Sequence, residues 1–211
     1  MSATTILFPI GWGLVGAAAG WFVRWGSVKL ARMEELEPGS LRWQVFGPPI
    51  LAALLFAVFA YHFGPSPTLF IRSVFILVLV QVIFFDFEHR LILDRVMFPS
   101  MAVALFVSLF GQPWWAGIAA GLGAGLLFLL LALAGSAIFK AEALGFGDVK
   151  LAAFMGLLLG PLPTIQAVFY GVVLAGVVSV GVIARQRNLK GSIAYGPYLA
   201  AGALIVLYLL P

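Results

Sequence analysis

Residues 144–154 read LGFGDVKLAAF, a stretch that puts an aspartate behind two glycines at the start of an apolar run. A carboxylate at the edge of hydrocarbon is costly, so in a membrane protein Asp148 is a candidate functional residue. Glycine permits unusual backbone angles and close approach of another chain, so Gly145 and Gly147 suit a site where a substrate backbone lies beside an acid. The same letters also fit a glycine-rich turn in which Asp148 caps a helix.

The composition of the chain is that of an integral membrane protein. Of its 211 residues, 63% are hydrophobic and 9% are charged, whereas a soluble domain has about 25% charged residues. One spanning helix needs about 20 apolar residues, which leaves no room for a sizeable soluble domain. We therefore expect an all-α polytopic membrane protein with a single membrane-embedded domain over residues 1–211. The first apolar segment lacks a small-residue cleavage site after it and is expected to be a retained helix.

Side chains that bind metals or form disulfides are scarce. The chain has no cysteine and two histidines that lie far apart, so it predicts no disulfide, no metal site and no cofactor. The net charge of +4 does not indicate nucleic acid as a partner, because basic loops in membrane proteins first set the orientation. The expected partner is the lipid bilayer, and the sequence does not indicate an oligomeric state.

Eight apolar segments predict about eight transmembrane helices. Residues 24–44 form the one long polar loop, and Lys and Arg concentrate in the loops after the first, third, fifth and seventh segments, with Arg72 as the exception. Because Lys and Arg mark the cytoplasmic side, we expect both termini on the extracytoplasmic side and all carboxylates at the cytoplasmic face. The predicted spans cover residues 5–23, 46–61, 69–85, 91–109, 114–139, 149–159, 164–184 and 195–210.

Small and polar residues inside the spans predict helix contacts. Gly16 and Gly20 in the first span have the spacing that lets two helices pack closely. Gln81 in the third span predicts an interhelical hydrogen bond. The same close-packing pattern recurs in the fifth span, at Gly117, Gly121 and Gly125.

The three aspartates of the chain lie at the ends of apolar spans. Asp86 ends the third, Asp94 opens the fourth and Asp148 opens the sixth. When two carboxylates share a site, one keeps a proton; the ionised member can activate water while the protonated one polarises a carbonyl. This is the chemistry of an aspartyl protease. The alternative is that the aspartates cap helices and that Glu88 and Glu142 are solvated interface charges.

Three motifs resemble those of one enzyme family. Residues 86–94, DFEHRLILD, resemble the segment of bacterial type IV prepilin peptidases in which a second aspartate follows the first after eight residues. Residues 145–151, GFGDVKL, resemble the Gly-x-Gly-Asp motif of that family with its Val-Lys-Leu continuation. Residues 194–200, AYGPYLA, resemble its Pro-Phe-Gly-Pro-Phe segment. The motifs occur in the family's order.

The resemblance implies an intramembrane aspartic endopeptidase of the GxGD class in the bacterial inner membrane. Such an enzyme removes the short basic leader of a type IV prepilin or pseudopilin at the cytoplasmic face, in type IV pilus or type II secretion systems. Asp86 and Asp148 would be the catalytic pair. The expected supporting or substrate-binding residues are Glu88, Asp94, Glu142, Gly145, Gly147, Lys150, Gly196 and Pro197.

The first loop departs from the family pattern. Many prepilin peptidases have there a cytoplasmic domain with two CxxC pairs, which binds zinc and is linked to N-methylation of the new pilin N-terminus. Residues 24–44 contain no cysteine, so we expect peptidase activity without the methyltransferase activity.

Two other classes of function stay open at the level of the sequence. One is a small transporter that uses Asp86 and Asp148 as proton or cation ligands, since acids in a membrane suit that role. The other is a structural partner in a pilus or secretion assembly. The aspartates lie at one face of the membrane rather than at its middle, and no inverted repeat is visible, which favours the peptidase.

Overall fold

The computed structural model describes residues 3–139, 144–186 and 194–211, and over these residues it contains eight α-helices and no strand. Five of the helices, α1, α2, α3, α5 and α7, are long and apolar enough to cross a membrane, which confirms an all-α multi-pass membrane protein. The eight-span count and the side of the termini stay predictions. The helices are α1 (Ala3–Met33), α2 (Arg42–Phe63), α3 (Pro67–His89), α4 (Asp94–Ser108), α5 (Ala116–Phe139), α6 (Phe146–Leu159), α7 (Pro161–Gln186) and α8 (Gly196–Leu209).

The chain divides into two compact units, Met1–Arg90 and Leu91–Pro211. The first unit contains α1 to α3, and the second contains α4 to α8. The single peptidase domain expected from the sequence stays a prediction.

In the first unit, α1 and α2 pack through small residues. A side chain at Gly16 would begin 2.6 Å from the carbonyl oxygen of Ala52, and one at Gly20 would begin 2.6 Å from Pro49 Cα. The predicted close-packing role of these two glycines is therefore confirmed. The predicted hydrogen bond of Gln81 is confirmed as well, because the Ser27 hydroxyl of α1 donates to Gln81 Oε1 at 2.7 Å.

The predicted polar loop at residues 24–44 is shorter in the structure. Helix α1 continues ten residues past the predicted end of the first span, and only residues 34–41 connect it to α2. The reason is amphipathicity: Arg24, Ser27 and Ala31 recur at helical spacing on a buried face, which holds the polar end of α1 against the unit.

In the second unit, the short helix α6 contacts α4, α5, α7 and α8. Its residues Leu151, Phe154 and Met155 are fully buried. A side chain at Gly121 of α5 would begin 2.7 Å from Leu157 Cγ, so the predicted close-packing face of the fifth span is confirmed and its partner is α6. This central position fixes the start of α6, where the Gly-x-Gly-Asp motif lies.

Candidate active site

Asp86 lies in the last turn of α3, within the first unit. The predicted span ends at Phe85, whereas α3 continues to His89, and its end is set by Arg90, which has a left-handed conformation with φ 54°. Asp86 is 6% exposed. An acid near a helix C-terminus neither caps the helix nor benefits from its dipole. The capping alternative therefore does not explain Asp86.

Glu88 belongs to a buried network two residues after Asp86. Arg24 Nη1 donates to Glu88 Oε2 at 3.0 Å, and the two side chains are 8% and 5% exposed, respectively. The backbone of Gly39 joins them, because its carbonyl accepts from Arg24 and its N–H donates to Glu88 Oε1. His89 Nε2 lies 3.3 Å from Glu88 Oε1. Glu88 is thus a structural partner of α1 and the first loop, and the alternative of a solvated interface charge is wrong.

Asp148 lies in the first turn of α6, within the second unit, and is 9% exposed. The N-cap residue is Gly145, and Asp148 is the third residue of α6, so the capping alternative holds only in that Asp148 lies in the first helical turn. The Asp148 carboxylate instead reaches back to accept the backbone N–H of Gly145. Asp148 precedes the apolar run and lies outside the five candidate spans. Burial raises the pKa of Asp148 to about 6, and the Gly145 hydrogen bond opposes part of that rise.

The two glycines of the motif differ in what they do. Gly145 has φ −72° and ψ 146°, an extended conformation that any residue adopts, and Gly147 also lacks a positive φ. Neither glycine therefore uses the unusual backbone angles that the residue permits. The close approach expected of Gly147 is present, because a side chain there would begin 2.9 Å from Ile92 Cβ. That neighbour is a residue of the same unit.

Asp94 and Lys150 form an ion pair between the starts of α4 and α6. Lys150 Nζ donates to Asp94 Oδ1, and the lysine and aspartate side chains are 24% and 53% exposed. Lys150 Nζ also lies 5.3 Å from the centre of the Phe98 ring. Asp94 is the first residue of α4, whose N-cap, Leu93, makes no side-chain cap. Asp94 is therefore not the N-cap of α4, and it forms an exposed ion pair beside the Gly-x-Gly-Asp motif.

The other predicted site residues lie at the start of α8 or outside the described residues. Gly196 and Pro197 are buried, and Pro197 occupies the first turn of α8, where its missing N–H costs no hydrogen bond. Helix α8 packs on α6 and α7. Glu142 lies outside the described residues. Within the described ranges, no group of three or more His, Asp or Glu residues has the arrangement of a metal site.

Residues 73–180 match the model of the type IV leader peptidase family. The chain belongs to this family. The matched region contains both buried aspartates and the Gly-x-Gly-Asp motif, and it ends before Gly196.

A relative of this chain is the prepilin leader peptidase/N-methyltransferase of Bacillus subtilis (strain 168). The two are 31% identical over 160 residues, which cover 74% of this chain and 62% of the relative. The chain therefore spans less than two thirds of the length of that curated relative. No solved structure is significantly similar to this chain.

Arg24 and Gly39, which both bond to Glu88, were not predicted as site residues from the sequence. Arg24 was grouped with the charges of the first loop, although its spacing to Ser27 and Ala31 is that of one helix face. The partner of Arg24 is 64 residues away in sequence, and no local pattern indicates a contact over that separation.

Proposed function

We propose that this chain is an aspartic endopeptidase that removes the short basic leader of type IV prepilin or pseudopilin-like substrates, with Asp86 and Asp148 as the catalytic pair. One observation carries the assignment of the pair. Of the three aspartates in the chain, Asp86 and Asp148 are buried, whereas Asp94 is exposed and paired with Lys150. Burying a carboxylate costs free energy, and buried ionisable groups with perturbed pKa values concentrate at functional sites.

The proposed chemistry needs two carboxyl groups in different protonation states. The ionised carboxylate takes a proton from water, and the resulting hydroxide attacks the carbonyl carbon of the scissile peptide bond. The protonated carboxyl donates its proton to the carbonyl oxygen, which gives a tetrahedral gem-diol. As the C–N bond breaks, the carboxyl that took the water proton donates it to the leaving nitrogen, and the other carboxylate takes a proton back from a hydroxyl of the gem-diol. The reaction consumes one water and leaves the two carboxyl groups with one proton between them, ready for the next cycle. It uses no metal and no cofactor.

The substrate proposed from the family is an apolar helix preceded by a basic leader. Its helix would lie in the bilayer, and its leader would approach from the cytoplasmic side of the inner membrane, where acidic side chains such as Glu142 would attract it. Both oxygens of Glu88 are already bonded, so Glu88 takes a supporting role and does not bind the leader. Gly196, Pro197, Gly145 and Gly147 support the helices that carry the acids.

A cleavage assay with purified protein in detergent and a prepilin-type substrate tests this proposal. Wild type is compared with Asp86→Asn and Asp148→Asn, which keep the side-chain size but cannot hold or release the proton. Loss of a general acid or base lowers the rate by about 100-fold or more, so we expect each variant to cleave the substrate at least about 100-fold more slowly than wild type. Asp94→Asn makes the same chemical change at the exposed aspartate and should keep a rate within about fivefold of wild type, since the loss of a surface ion pair alters energies by up to about 1 kcal/mol.

Three results would contradict the proposal. Near-normal cleavage by either buried-site variant would exclude the pair. A loss in Asp94→Asn as large as in the other two variants would mean that burial does not distinguish the catalytic aspartates. If wild type cleaves no prepilin-type substrate while proton-dependent uptake into vesicles requires Asp86 and Asp148, the transporter is the better assignment.

A further inference from the structure

The cytoplasm-proximal end of α1, as assigned by the charge distribution, carries a groove that the proposed reaction does not use. The groove has a volume of about 510 Å³ and is lined by Trp25, Val28, Lys29, Arg32 and Met33. Pockets that hold small ligands measure about 300–1,000 Å³. All five residues come from one helix, on a face turned away from the side of α1 that holds Arg24 and Ser27 against the unit.

The groove contains two cationic groups that no acid in the described part of the chain neutralises. Lys29 and Arg32 are exposed, and within the described part of the chain neither forms an ion pair. Arg24, five residues before Lys29, differs from both because it is buried and paired with Glu88. The carboxylates that follow in the loop, Glu34, Glu35 and Glu37, leave both cations available.

Aromatic and apolar side chains complete the groove. Lys29 Nζ lies 5.5 Å from the centre of the Trp25 ring, and Phe22 stacks on that ring at 5.4 Å. Trp25 is 56% exposed. Exposed tryptophans at the ends of spanning helices lie at the level of lipid headgroups. The same surface therefore offers contacts to both the apolar and the charged part of a lipid.

The depth of the cations along α1 fits the headgroup layer. The candidate span covers Ile6–Met33, which is longer than the about 20 residues that cross the hydrocarbon core. A core that begins at Ile6 therefore ends near Trp25. At a rise of 1.5 Å per residue, Lys29 and Arg32 lie about 6 Å and 10 Å beyond Trp25. Those distances reach the phosphates of a bilayer and not its acyl chains.

We propose that the groove formed by Trp25, Val28, Lys29, Arg32 and Met33 binds the phosphate headgroup of an anionic phospholipid, with the acyl chains along the exposed apolar face of α1. Charge complementarity selects this occupant, because two cations without ion-pair partners attract an anion, whereas a zwitterionic lipid presents its own cation to them. The site is independent of the peptidase assignment, since none of its residues belongs to the proposed catalytic or substrate-binding set.

Native mass spectrometry of the full chain tests the proposal, with micelles that contain equal amounts of phosphatidylglycerol and phosphatidylcholine. We expect retained adducts of phosphatidylglycerol on wild type. Each basic residue near a membrane surface contributes about fivefold in affinity for anionic lipid, so Lys29→Gln and Arg32→Gln should each weaken the adducts by about that factor. The matched control is Arg42→Gln, which removes one exposed cation of the same unit outside the groove and should leave the adducts unchanged.

Several outcomes would overturn the inference. Equal retention of both lipids by wild type would exclude a headgroup site for anions. An equal loss in Arg42→Gln would show general attraction to a basic surface. Displacement of the lipid by excess inorganic phosphate would identify a site for the free ion. A folding defect is recognised by comparing thermal unfolding of the variants, and adducts that persist in well-folded groove variants would also contradict the proposal.

Discussion

The two compact units each contain one buried aspartate, but they hold the neighbouring charges in opposite ways. Beside Asp86, the first unit has the Arg24–Glu88 pair, which is buried and shares the backbone of Gly39. Beside Asp148, the second unit has an ion pair at the helix surface. Breaking a buried pair leaves an uncompensated charge and is expensive, whereas an exposed pair contributes little. The first unit is therefore the more sensitive to the loss of a charge.

The two aspartates also differ in their positions along a helix. Asp148 is in the first turn of α6, where the helix dipole favours an acid, and Asp86 is in the last turn of α3, where it does not. The helix dipole therefore stabilises the carboxylate of Asp148 at its position, but it does not stabilise that of Asp86. Under the proposed function, the position of Asp86 serves chemistry rather than stability.

The largest expected effect on stability is that of Arg24→Ala. It leaves Glu88 buried without its cation, and removing one partner of a buried pair costs about 3–5 kcal/mol. Unfolding of the purified protein by denaturant in detergent measures this loss. The double replacement Arg24→Met with Glu88→Met removes both charges and should recover part of the stability. A single variant with an unchanged unfolding midpoint would mean that the buried pair contributes no more than a surface pair.

A pH-dependent effect is expected from Asp148. The pKa of its buried carboxyl, about 6, is above the ordinary value of 3.8, so folding favours the protonated form. This contribution to stability is complete below about pH 4 and is lost as the pH rises through 6. Asp148→Asn does not titrate, so its stability relative to wild type should rise between pH 4 and pH 8 by up to about 3 kcal/mol. Thermal unfolding of both proteins at pH 4 and pH 8 measures this change in relative stability. If the difference between variant and wild type were the same at both pH values, burial would not raise the pKa of Asp148.

The sequence predicted the helices better than their polar ends. Hydropathy locates the part of a helix that lies in hydrocarbon, but backbone hydrogen bonds continue where polar residues still have a buried face. This is why α1 runs on to Met33 and α3 to His89 beyond the predicted limits. Patterns with a short period, such as Gly16 with Gly20, were sufficient to predict close packing.

The candidate site was only partly predictable. The motifs identified Asp86 and Asp148, since an acid at the end of an apolar run is conspicuous. The partners of Glu88 were not predictable, because the pairing with Arg24 joins two helices far apart in sequence. For the two glycines, the sequence could not distinguish close approach from an unusual φ, because both select glycine.

A smaller effect separates the two glycines of the Gly-x-Gly-Asp motif. Gly147→Ala puts a methyl group against Ile92 Cβ, and overpacking costs about 1–3 kcal/mol. Gly145→Ala is the matched control, because the nearest atom to its new methyl group is Asp148 Oδ2 at 3.7 Å and its φ is ordinary. Unfolding by denaturant should therefore separate the two variants. If Gly145→Ala lost cleavage activity with unchanged stability, Gly145 would contact the substrate.

The smallest effect is expected for the exposed ion pair. Asp94→Asn and Lys150→Met each remove the attraction between the two side chains, and surface pairs contribute about 0–1 kcal/mol. Salt screens such charges, so the difference from wild type should shrink further at high ionic strength, whereas the Arg24→Ala effect should persist because its pair is buried. Unfolding at low and high salt tests this contrast. A large loss of stability in Asp94→Asn that does not depend on salt would mean that the pair holds the start of α6 as firmly as Glu88 holds the first loop. The two units would then not differ in their sensitivity to the loss of a charge.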